Sequence, residues 1–383
     1  MFNSAILKLT SFCNLNCTYC YMFNLEDQTH SRVPKSMPIA TAIVALECIE
    51  RHLICEKKDK FSLVLHGGEP TLWPVDNFSL FLNKIAEIRR NHQMTVSIQT
   101  NAYQEIDVEL LELLDAHQVS IGISLDGPAE YNDAYRVDHR GKGSYERVIK
   151  NVSKIIEQGY MHLIGGFLTV AQPALPPKEF LKWASDLPVK RVSVLWPIDY
   201  NYNNLPWAST SLAEYTQHPR YGAWFTDLFI EWLRLDDPEL YIRHFYDVIH
   251  RLMGSKQHTD DIGNELIDMV VINTDGCIEY PDYFRSYKDG GSRTPYNVNA
   301  NELSDVVKDP VFSYCLDLHA RLPQACTHCS CVDICGGGFL PGRMNQNELV
   351  PTQKSVLCYD QYYFFAHVQK ILSGYAVNAA SLV

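Results

Sequence analysis

Three cysteines near the beginning of the chain have the spacing of iron–sulfur ligands. Cys13, Cys17 and Cys20 form a C-x3-C-x2-C pattern, with the aromatic Tyr19 before the last cysteine. Three thiolates on one loop can bind three irons of a [4Fe–4S] cube and leave the fourth iron without a protein ligand. Such an open iron implies a substrate or cofactor ligand. A zinc loop is the alternative, but zinc favours four ligands and the fourth would have to come from a distant residue.

A second set of cysteines lies near the other end of the chain. Cys326 and Cys329 form a C-x2-C pair, Cys335 follows after five residues, and Cys358 follows after 22 more. Four thiolates would make a closed cube that serves structure or electron transfer. A zinc ribbon built from the same four cysteines stays open as an alternative, because spacing alone does not distinguish the two sites.

Composition and charge exclude several classes of protein. The chain has 383 residues, of which 46% are hydrophobic and 20% charged, and this excludes a disordered chain. No apolar run approaches the roughly 18 residues of a spanning helix and no signal peptide is recognisable, so we predict a cytoplasmic protein without membrane contact. The net charge of −12 argues against duplex nucleic acid as a partner. A reducing compartment does not maintain disulfides, so metal ligation best explains twelve cysteines.

The remaining cysteines lack regular ligand spacing. Cys48 and Cys55, seven apart on a predicted helix, are expected to lie in the core. Cys277, Cys315 and Cys331 could form an unusual site, but we expect them to be ordinary side chains.

Short β-branched runs alternate with amphipathic stretches through the first half of the chain. This pattern predicts strands at Ala5–Thr10, Phe61–Leu65, Met94–Gln99, Val119–Leu125, His162–Val170 and Val189–Trp196. It predicts helices at Ile39–Ile54, Phe78–His92, Asp107–Ala116, Tyr145–Gln158 and Lys178–Ala184. The alternation favours βαβ units and a parallel sheet, in which chemistry lies at the carboxyl ends of the strands.

The second half of the chain has a different pattern. Helices are predicted around Trp224–Leu235 and Tyr241–Met253, followed by a β-hairpin over Ile267–Glu279 whose Asp275-Gly276 turn readily supplies positive φ. The remainder is rich in Cys, Gly and Pro and has little periodicity. We therefore predict a barrel over residues 1–200, a helical bridge over 201–265 and a cluster-binding module over 266–383.

The cysteine loop after the first strand resembles the hallmark of the radical S-adenosylmethionine (SAM) superfamily. The stretch from His66 to Pro70, which reads His-Gly-Gly-Glu-Pro after the second strand, is similar to the family motif that binds the amino group of SAM. The resemblance implies an α/β fold, a partial TIM-type (β/α)6 barrel with a SPASM-like iron–sulfur module. It also implies a set of SAM contacts at Tyr19, Gly67, Gly68, Glu69, Gln99, Thr100, Asn101, Ser124, Asp126 and Arg136.

The resemblance gives several of these residues individual roles. Glu69 would hold the SAM ammonium, Ser124 and Asp126 would contact the ribose, and the Arg136 guanidinium would pair with the carboxylate. Without the family context, Glu69 would be a carboxylate in a tight turn and Arg136 a surface ion pair. The implied chemistry is reductive cleavage of SAM to a 5′-deoxyadenosyl radical that takes a hydrogen atom from a carbon. It requires a low-potential electron donor, a flavodoxin or ferredoxin.

The second cysteine set resembles the auxiliary-cluster ligands of SPASM domains. A complete SPASM domain has seven cysteines, but two of these positions are occupied here by Pro281 and Phe339. We therefore expect one auxiliary cluster, at Cys326, Cys329, Cys335 and Cys358, and two [4Fe–4S] clusters in all.

Two C-terminal stretches are similar to a narrower group, the maturases that form three-residue cyclophanes in ribosomal peptides. The first is Thr274–Glu279 followed by Asp282, and the second combines Cys335–Gly338 with Ser355–Asp360. The expected function is hydrogen abstraction from a precursor peptide and a carbon–carbon crosslink between an aromatic ring and a nearby Cβ. Other radical modifications stay open: a thioether, an epimerisation or formylglycine formation in a sulfatase. A non-catalytic iron–sulfur or zinc protein is the alternative from another class.

Asp282 is the candidate general base, because related sulfatase maturases carry their base at the matching position. It would accept the proton released when an intermediate radical is oxidised. Glu279 is the second candidate. The alternative for Asp282 is a carboxylate at the hairpin end that is exposed to water.

Overall fold

The structure is a computed structural model that describes residues 1–255, 262–263, 265–317, 321–345 and 347–380, the last six of these without side chains. Its strands are β1 (Ser4–Thr10), β2 (Lys60–Gly67), β3 (Gln93–Thr100), β4 (Val119–Ser124), β5 (Ile164–Val170), β6 (Arg191–Leu195), β7 (Tyr241–Ile242), β8 (Met269–Ile272) and β9 (Ile278–Glu279). Its helices are α1 (Ile39–Glu56), α2 (Val75–Ile88), α3 (Val108–Ala116), α4 (Ala129–Asn132), α5 (Tyr145–Glu157), α6 (Pro177–Asp186), α7 (Leu212–Gln217), α8 (Arg220–Leu235), α9 (Arg243–Leu252), α10 (Leu303–Val306), α11 (Pro310–Cys315), α12 (Val332–Cys335) and α13 (Cys358–Ala380).

The chain forms two compact units. The first contains Met1–Leu168 and Asp268–Leu316, and the second contains Thr169–Ile267 and Asp317–Val383. The predicted domain limits, 1–200, 201–265 and 266–383, stay a prediction. In the described ranges, no helix is both long and apolar enough to cross a lipid bilayer.

The sheet of the first unit is built from parallel neighbours. β1 pairs with β2, β2 with β3, β3 with β4 and β4 with β5, all in parallel. Helices connect successive strands, as parallel pairing requires, and the predicted α/β fold is confirmed. The register places Thr10 beside Gly67 and Thr100 beside Ile123. The carboxyl ends of four strands therefore lie along one edge, where the loops that follow them can meet.

The predicted hairpin is present and extends this sheet. β8 runs parallel to β1, and β9 returns antiparallel to β8. Gly276 in the turn has φ +79°, the conformation that the Asp-Gly pair was expected to supply. Because β8 lies beside β1, the segment after β9 reaches the same unit as the cysteine loop that follows β1.

Two sequence expectations about helices need correction. Cys48 is fully buried, but Cys55 is exposed, because it lies in the last turn of α1, beyond the Asn301 backbone that covers Cys48. The C-terminal segment, predicted to have little periodicity, contains the 23-residue helix α13. This helix packs on α8 in the second unit, where the Asp360 carboxylate accepts the Tyr221 and Gly222 N–H groups at 2.8 and 3.0 Å.

Candidate functional site

The three cysteines after β1 lie on a loop that is fixed by backbone hydrogen bonds. Asn16 N–H donates to the Val137 carbonyl at 2.7 Å, and Thr18 N–H donates to the Tyr135 carbonyl at 3.0 Å. The Asn101 side-chain amide lies 3.3 Å from Cys13 Sγ. The loop is thus held between the segment after β4 and the residue after β3, where the sequence predicted that the site would form.

The three thiols lie close enough for their charges to interact. Burial and then the Glu69 carboxylate raise the pKa of Cys13 to about 12, and Cys20 and Cys17 add to the shift. Burial also raises the pKa of Cys17 to about 11, against the opposing effect of Arg136. Buried thiols with raised pKa values ionise only when a cation replaces the proton, and iron is such a cation.

A zinc site and an iron–sulfur cluster differ in how far apart their ligand sulfurs stand. In the part of the chain that the structure describes, no three Cys, His, Asp or Glu side chains are arranged to hold one metal ion. All sulfurs of a zinc site bond to one ion at about 2.3 Å, whereas the sulfurs of a [4Fe–4S] cube bond to different irons and stand farther apart. The assignment of both cysteine sets to clusters rests on their spacing in the sequence and stays a prediction.

The two glycines after β2 allow this strand end to contact the cysteine loop. A Cβ on Gly67 would lie 2.4 Å from the Thr10 carbonyl oxygen, and one on Gly68 would lie 2.0 Å from that of Phe12. Gly67 also has φ +141°, which other residues rarely adopt. Any side chain here would displace the backbone that leads into Cys13.

Glu69 follows these glycines and is 1% exposed. Its carboxylate accepts the Thr71 N–H at 3.1 Å, the Thr100 hydroxyl at 2.7 Å and the Asn101 N–H at 2.8 Å. Burial raises the pKa of Glu69, and these donors partly offset the shift. Glu69 therefore joins the end of β2 to the end of β3 and brings Thr100 and Asn101 to the cysteine loop.

Tyr19, Asp126 and Arg136 form a buried chain of contacts. The Tyr19 hydroxyl donates to the Asp126 carboxylate, and Arg136 Nη1 donates to the Tyr19 oxygen at 2.9 Å. Arg136 is 7% exposed, and its Nε has no hydrogen-bond partner among the described residues. The alternative for Arg136, an ion pair at the surface, does not fit this buried position. A buried guanidinium with an unsatisfied N–H fits a carboxylate ligand.

Gln99 and Ser124 complete the polar edge of the sheet. Gln99 Nε2 donates to the Ser124 hydroxyl oxygen at 2.9 Å, which links the ends of β3 and β4. The predicted SAM contacts thus lie along one edge of the first unit, at the carboxyl ends of β2, β3 and β4 and on the loops that follow β1 to β4.

Asp282 follows the hairpin and faces β1. Its Oδ1 lies 2.6 Å from Nζ of Lys8, a fully buried lysine of β1, and its Oδ2 accepts the Tyr21 hydroxyl at 3.2 Å. Lys8 and Asp282 thus form a buried ion pair. The side chain is 11% exposed, and the alternative of a water-exposed hairpin end is wrong.

The charge state of Asp282 is set by its neighbours. Burial by itself would raise the pKa of this carboxyl, but Lys8 and then Arg285 outweigh burial and hold the pKa below its usual value. Burial lowers the pKa of the nearby His66 to about 4, so that its ring is neutral at pH 7. Asp282 is thus a carboxylate, and therefore a proton acceptor, near neutral pH.

Glu279 has a different environment. It is fully buried, and its carboxylate accepts from Arg285 and from Asn273 Nδ2, the latter at 2.8 Å. Arg285 also pairs with the buried Asp27. Because its oxygens are held by these donors, Glu279 supports the segment that carries Asp282 and is a poorer candidate base.

The second cysteine set lies in the second unit. Burial raises the pKa of Cys335, and Cys358, Cys326 and Cys329 raise it further, so the four thiols are near neighbours. The cations Arg343 and Lys354 oppose this shift at Cys326 and Cys358 respectively. Four thiols with flanking cations fit an anionic four-thiolate cluster. Cys331 lies between Cys329 and Cys335 in the sequence and is buried. Its Sγ contacts the Gln369 side-chain oxygen at 3.6 Å.

Lys8 and Arg285 are the residues of this site that sequence reasoning missed. Lys8 interrupts the apolar run of β1, from Ala5 to Leu9, and a charge inside a buried strand is a signal that could have identified it. Arg285 has no comparable signal, because its partners Asp27 and Glu279 become neighbours only in the folded chain.

Comparison with known proteins agrees with this geometry. A sequence model of the radical SAM superfamily matches residues 7–187. The cysteine-type anaerobic sulfatase-maturating enzyme of Clostridium novyi (strain NT) is 26% identical over 373 residues, 94% of this chain and 93% of that protein. The serine-type anaerobic sulfatase-maturating enzyme of Bacteroides thetaiotaomicron is 22% identical over 370 residues, 93% of this chain and 86% of that protein.

Two solved structures share the fold. Native anSMEcpe with bound AdoMet and the Cp18Cys peptide has a TM-score of 0.80 at 20% identity, covering 98% of this chain and 99% of that one. Streptococcus suis SuiB bound to the precursor peptide SuiA has a TM-score of 0.57 at 18% identity, covering 94% of this chain and 76% of that one.

The chain has the mixed α/β fold of radical SAM proteins, and its residues 7–187 match the sequence model of that superfamily. The cysteine-rich C-terminal region is consistent with the predicted SPASM-like module. These comparisons confirm the predicted cofactors, which are SAM and two [4Fe–4S] clusters. The residues that hold each group stay predictions.

Proposed function

We propose that the protein is a radical SAM enzyme that modifies a ribosomally made precursor peptide and forms a carbon–carbon crosslink between an aromatic ring and a nearby Cβ. The observation that carries the proposal is the Asp282 carboxylate, which is kept ionised by Lys8 at 2.6 Å in the same unit as the cysteine loop. A crosslink of this kind needs a proton acceptor near the radical site.

The residues of the edge site would hold SAM as the family motif implies. Arg136, buried and with an unsatisfied Nε–H, would bind the carboxylate, and Glu69 would contribute to the ammonium pocket. Ser124 and Asp126 would contact the ribose, beside Tyr19, Gln99, Thr100 and Asn101. Cys13, Cys17 and Cys20 would hold the SAM-binding cluster. When SAM and the reduced cluster are bound, they supply a carbon-centred radical that removes a hydrogen atom.

Asp282 would complete the reaction that follows hydrogen abstraction. The Cβ radical of the peptide adds to a ring carbon and forms the new bond. The ring then loses one electron and one proton to become aromatic again, and the Asp282 carboxylate accepts this proton. Cys326, Cys329, Cys335 and Cys358 would hold the auxiliary cluster, which would supply an acceptor for the electron. The peptide loses two hydrogens overall.

Formylglycine formation is the second candidate, because sulfatase-maturating enzymes match this chain over 93–94% of its length. The same carboxylate could accept the proton released when a Cys or Ser Cβ radical is oxidised. Pro281 and Phe339 occupy two cysteine positions of the full SPASM pattern, and this departure favours the crosslink.

The setting of the reaction is also part of the proposal. None of the twelve cysteines, all of which lie in the described ranges, forms a disulfide, and this is compatible with work in a reducing cytoplasm. A low-potential flavodoxin or ferredoxin would supply the electron that starts each turnover.

The test uses anaerobically reconstituted protein, SAM and two synthetic peptides. One peptide carries an aromatic residue two positions before an aliphatic or basic residue, and the other carries a sulfatase-type Cys. Loss of two hydrogens with tandem-mass evidence of a bridged segment supports the crosslink. A product that reacts with a hydrazide probe contains an aldehyde and identifies formylglycine instead.

Asp282→Asn tests the role of the carboxylate. We expect 5′-deoxyadenosine formation to stay near the wild-type rate while modified peptide falls by roughly 10²-fold or more, the usual scale of general-base catalysis. Asp289→Asn is the matched control, because Asp289 lies on the same segment with its side chain 49% exposed. Undiminished product with Asp282→Asn would remove Asp282 from the mechanism.

A further inference from the structure

Helix α5 and the loop before it carry a concentration of positive charge. Between His139 and Lys154 there is one acidic residue, Glu146, in a chain with a net charge of −12. The same stretch contains five basic residues, Arg140, Lys142, Arg147, Lys150 and Lys154. This excess distinguishes the segment from the rest of the chain, in which acidic residues predominate.

The basic side chains lie on one exposed face. Arg147, Lys150 and Lys154 are spaced by three and four residues and therefore share a side of α5. Arg147 and Lys150 are exposed, whereas Val148 and Val152 on the other side are buried. Arg140 and Lys142 are exposed in the preceding loop and continue the surface. We call these five residues the basic face.

Most of this positive charge is not neutralised within the protein. Lys154 pairs with Glu105. No carboxylate among the described residues lies within ion-pair distance of Arg140, Lys142, Arg147 or Lys150. The nearby Asp133 carboxylate instead accepts the backbone N–H groups of Ser144 and Tyr145, at 2.8 and 2.9 Å.

A cavity of about 620 Å³ opens on the basic face. Four basic residues line it, Lys142, Arg147, Lys150 and Lys154, together with Tyr103 and the three carboxylates of Glu105, Asp133 and Glu146. The Arg147 guanidinium lies 4.3 Å from the centre of the Tyr103 ring. The face is therefore concave, and its floor is an aromatic side chain.

Tyr103 connects this surface to the first cysteine ligand. Its N–H donates to Asn101 Oδ1 at 2.8 Å, and Asn101 Nδ2 lies 3.3 Å from Cys13 Sγ. At the other side of the face, a ring nitrogen of His139 lies 2.9 Å from the Cys13 carbonyl oxygen. The basic face is thus linked to Cys13, a predicted cluster ligand, through His139 on one side and through Tyr103 and Asn101 on the other.

We propose that the basic face docks an acidic one-electron carrier protein that reduces the cluster at Cys13, Cys17 and Cys20. This inference rests on the proposed function, because only a reductively started reaction needs such a donor. The carrier loses one electron and the cluster gains it, and no atom is transferred. Electron transfer slows steeply with distance, so the surface nearest a cluster ligand is the favourable docking place. Opposite charge steers weak redox encounters and raises their rates.

The proposal commits to a carrier protein over two other acidic partners. An acidic leader segment of the peptide substrate has no reason to bind beside Cys13 on the outer side of α5. Nucleic acid is disfavoured by the net charge of −12. Both partners are outcomes that the experiment can recognise.

The experiment compares two reductants on the reconstituted holoprotein. In the variant Lys142→Glu/Lys150→Glu, we expect reduction by photoreduced flavodoxin, followed by stopped-flow absorbance, to slow roughly tenfold at low salt. Reduction by dithionite should be unchanged, because a small reductant needs no docking face. Binding of oxidised flavodoxin, measured by calorimetry, should weaken in parallel, and raising the salt should bring wild type and variant together.

Matched variants control for folding and for total charge. Lys178→Glu/Lys182→Glu makes the same charge change on α6, where the side chains are 80% and 78% exposed, and should reduce like wild type. Lys142→Gln/Lys150→Gln should give an intermediate rate. Circular dichroism and iron content confirm that each variant is folded and loaded.

Three results would overturn the proposal. They are an unchanged flavodoxin rate, an equal fall with both reductants, and a change confined to the KM of the peptide or to RNA binding. If the proposed function is wrong, no crosslinked peptide forms. The difference between reduction by flavodoxin and reduction by dithionite can still be measured in that case, so the two failures are distinguishable.

Discussion

The ion pair between Lys8 and Asp282 makes a quantitative prediction possible. Lys8 is fully buried, and its Nζ lies 2.6 Å from Asp282 Oδ1. Removing one partner of a buried ion pair typically costs about 3–5 kcal/mol, because a buried charge is left without its partner. Arg285 Nε stays 3.5 Å from the same oxygen. We therefore expect Lys8→Met to cost about 3 kcal/mol, at the low end of that range.

The loss of unfolding free energy in Lys8→Met should change with pH in a definite direction. The folded-state pKa of Asp282 lies below its usual value, so the stabilising pair is fully present above the unfolded-state pKa. It is lost as the pH falls through the lower folded-state value. The part of the difference between wild type and Lys8→Met that comes from Asp282 should be present at neutral pH and shrink below about pH 4. Burial lowers the pKa of Lys8 itself, so wild type should gain further stability as the pH rises toward the ordinary lysine value. Arg285, His66 and Tyr21 also face Asp282, but they are present in both proteins and their effects largely cancel.

Calorimetry of the reconstituted protein under anaerobic conditions measures the effect. A loss of about 3 kcal/mol corresponds to a fall in Tm of roughly 6–12 °C for a unit of this size. In a double-mutant cycle, Lys8→Met with Asp282→Asn should cost about 2 kcal/mol less than the sum of the single changes. The half-exposed pair of Lys154 and Glu105 is the control, with a coupling of at most about 1 kcal/mol. Additive effects at Lys8 and Asp282 would refute the reasoning.

Two further predictions concern the cofactor residues. Glu69→Gln replaces an acceptor oxygen by an amide N–H group, which opposes the donors from Thr100 and Asn101. The SAM affinity, measured by calorimetry, should therefore fall at least tenfold, which is about 1.4 kcal/mol. An unchanged affinity would contradict the role of Glu69. Cys358→Ala should halve the bound iron in elemental analysis, whereas Cys55→Ala, at an exposed cysteine, should leave it unchanged; full iron content in Cys358→Ala would exclude Cys358 as a ligand.

The local features of this protein were predictable from its sequence. The six strands and their connecting helices follow from hydrophobic periodicity, and the predicted strand at Phe61–Leu65 lies within β2 (Lys60–Gly67). The strand-end loops also follow, because the carboxyl ends of parallel strands must share an edge. The Asp275-Gly276 turn is local as well, since the positive φ of Gly276 is a property of that residue.

Other features depend on which elements pack together. The sequence did not indicate that β8 joins the sheet beside β1, because a short apolar run carries no information about its neighbour. The environment of Asp282 follows from that pairing. The helix α13 was also missed, since its buried residues, such as Phe364 and Val368, are interspersed with polar and aromatic ones.

The sequence by itself was enough to predict the SAM and cluster chemistry, because the spacing of the cysteines and the glycines at the strand end are local features of the chain. Only the tertiary structure decided the charge state of the candidate base. Tyr21 and Asp282 are 261 residues apart in the chain and 3.2 Å apart in space. Burial and ion pairing, which together set a pKa, arise only when such distant segments pack against each other.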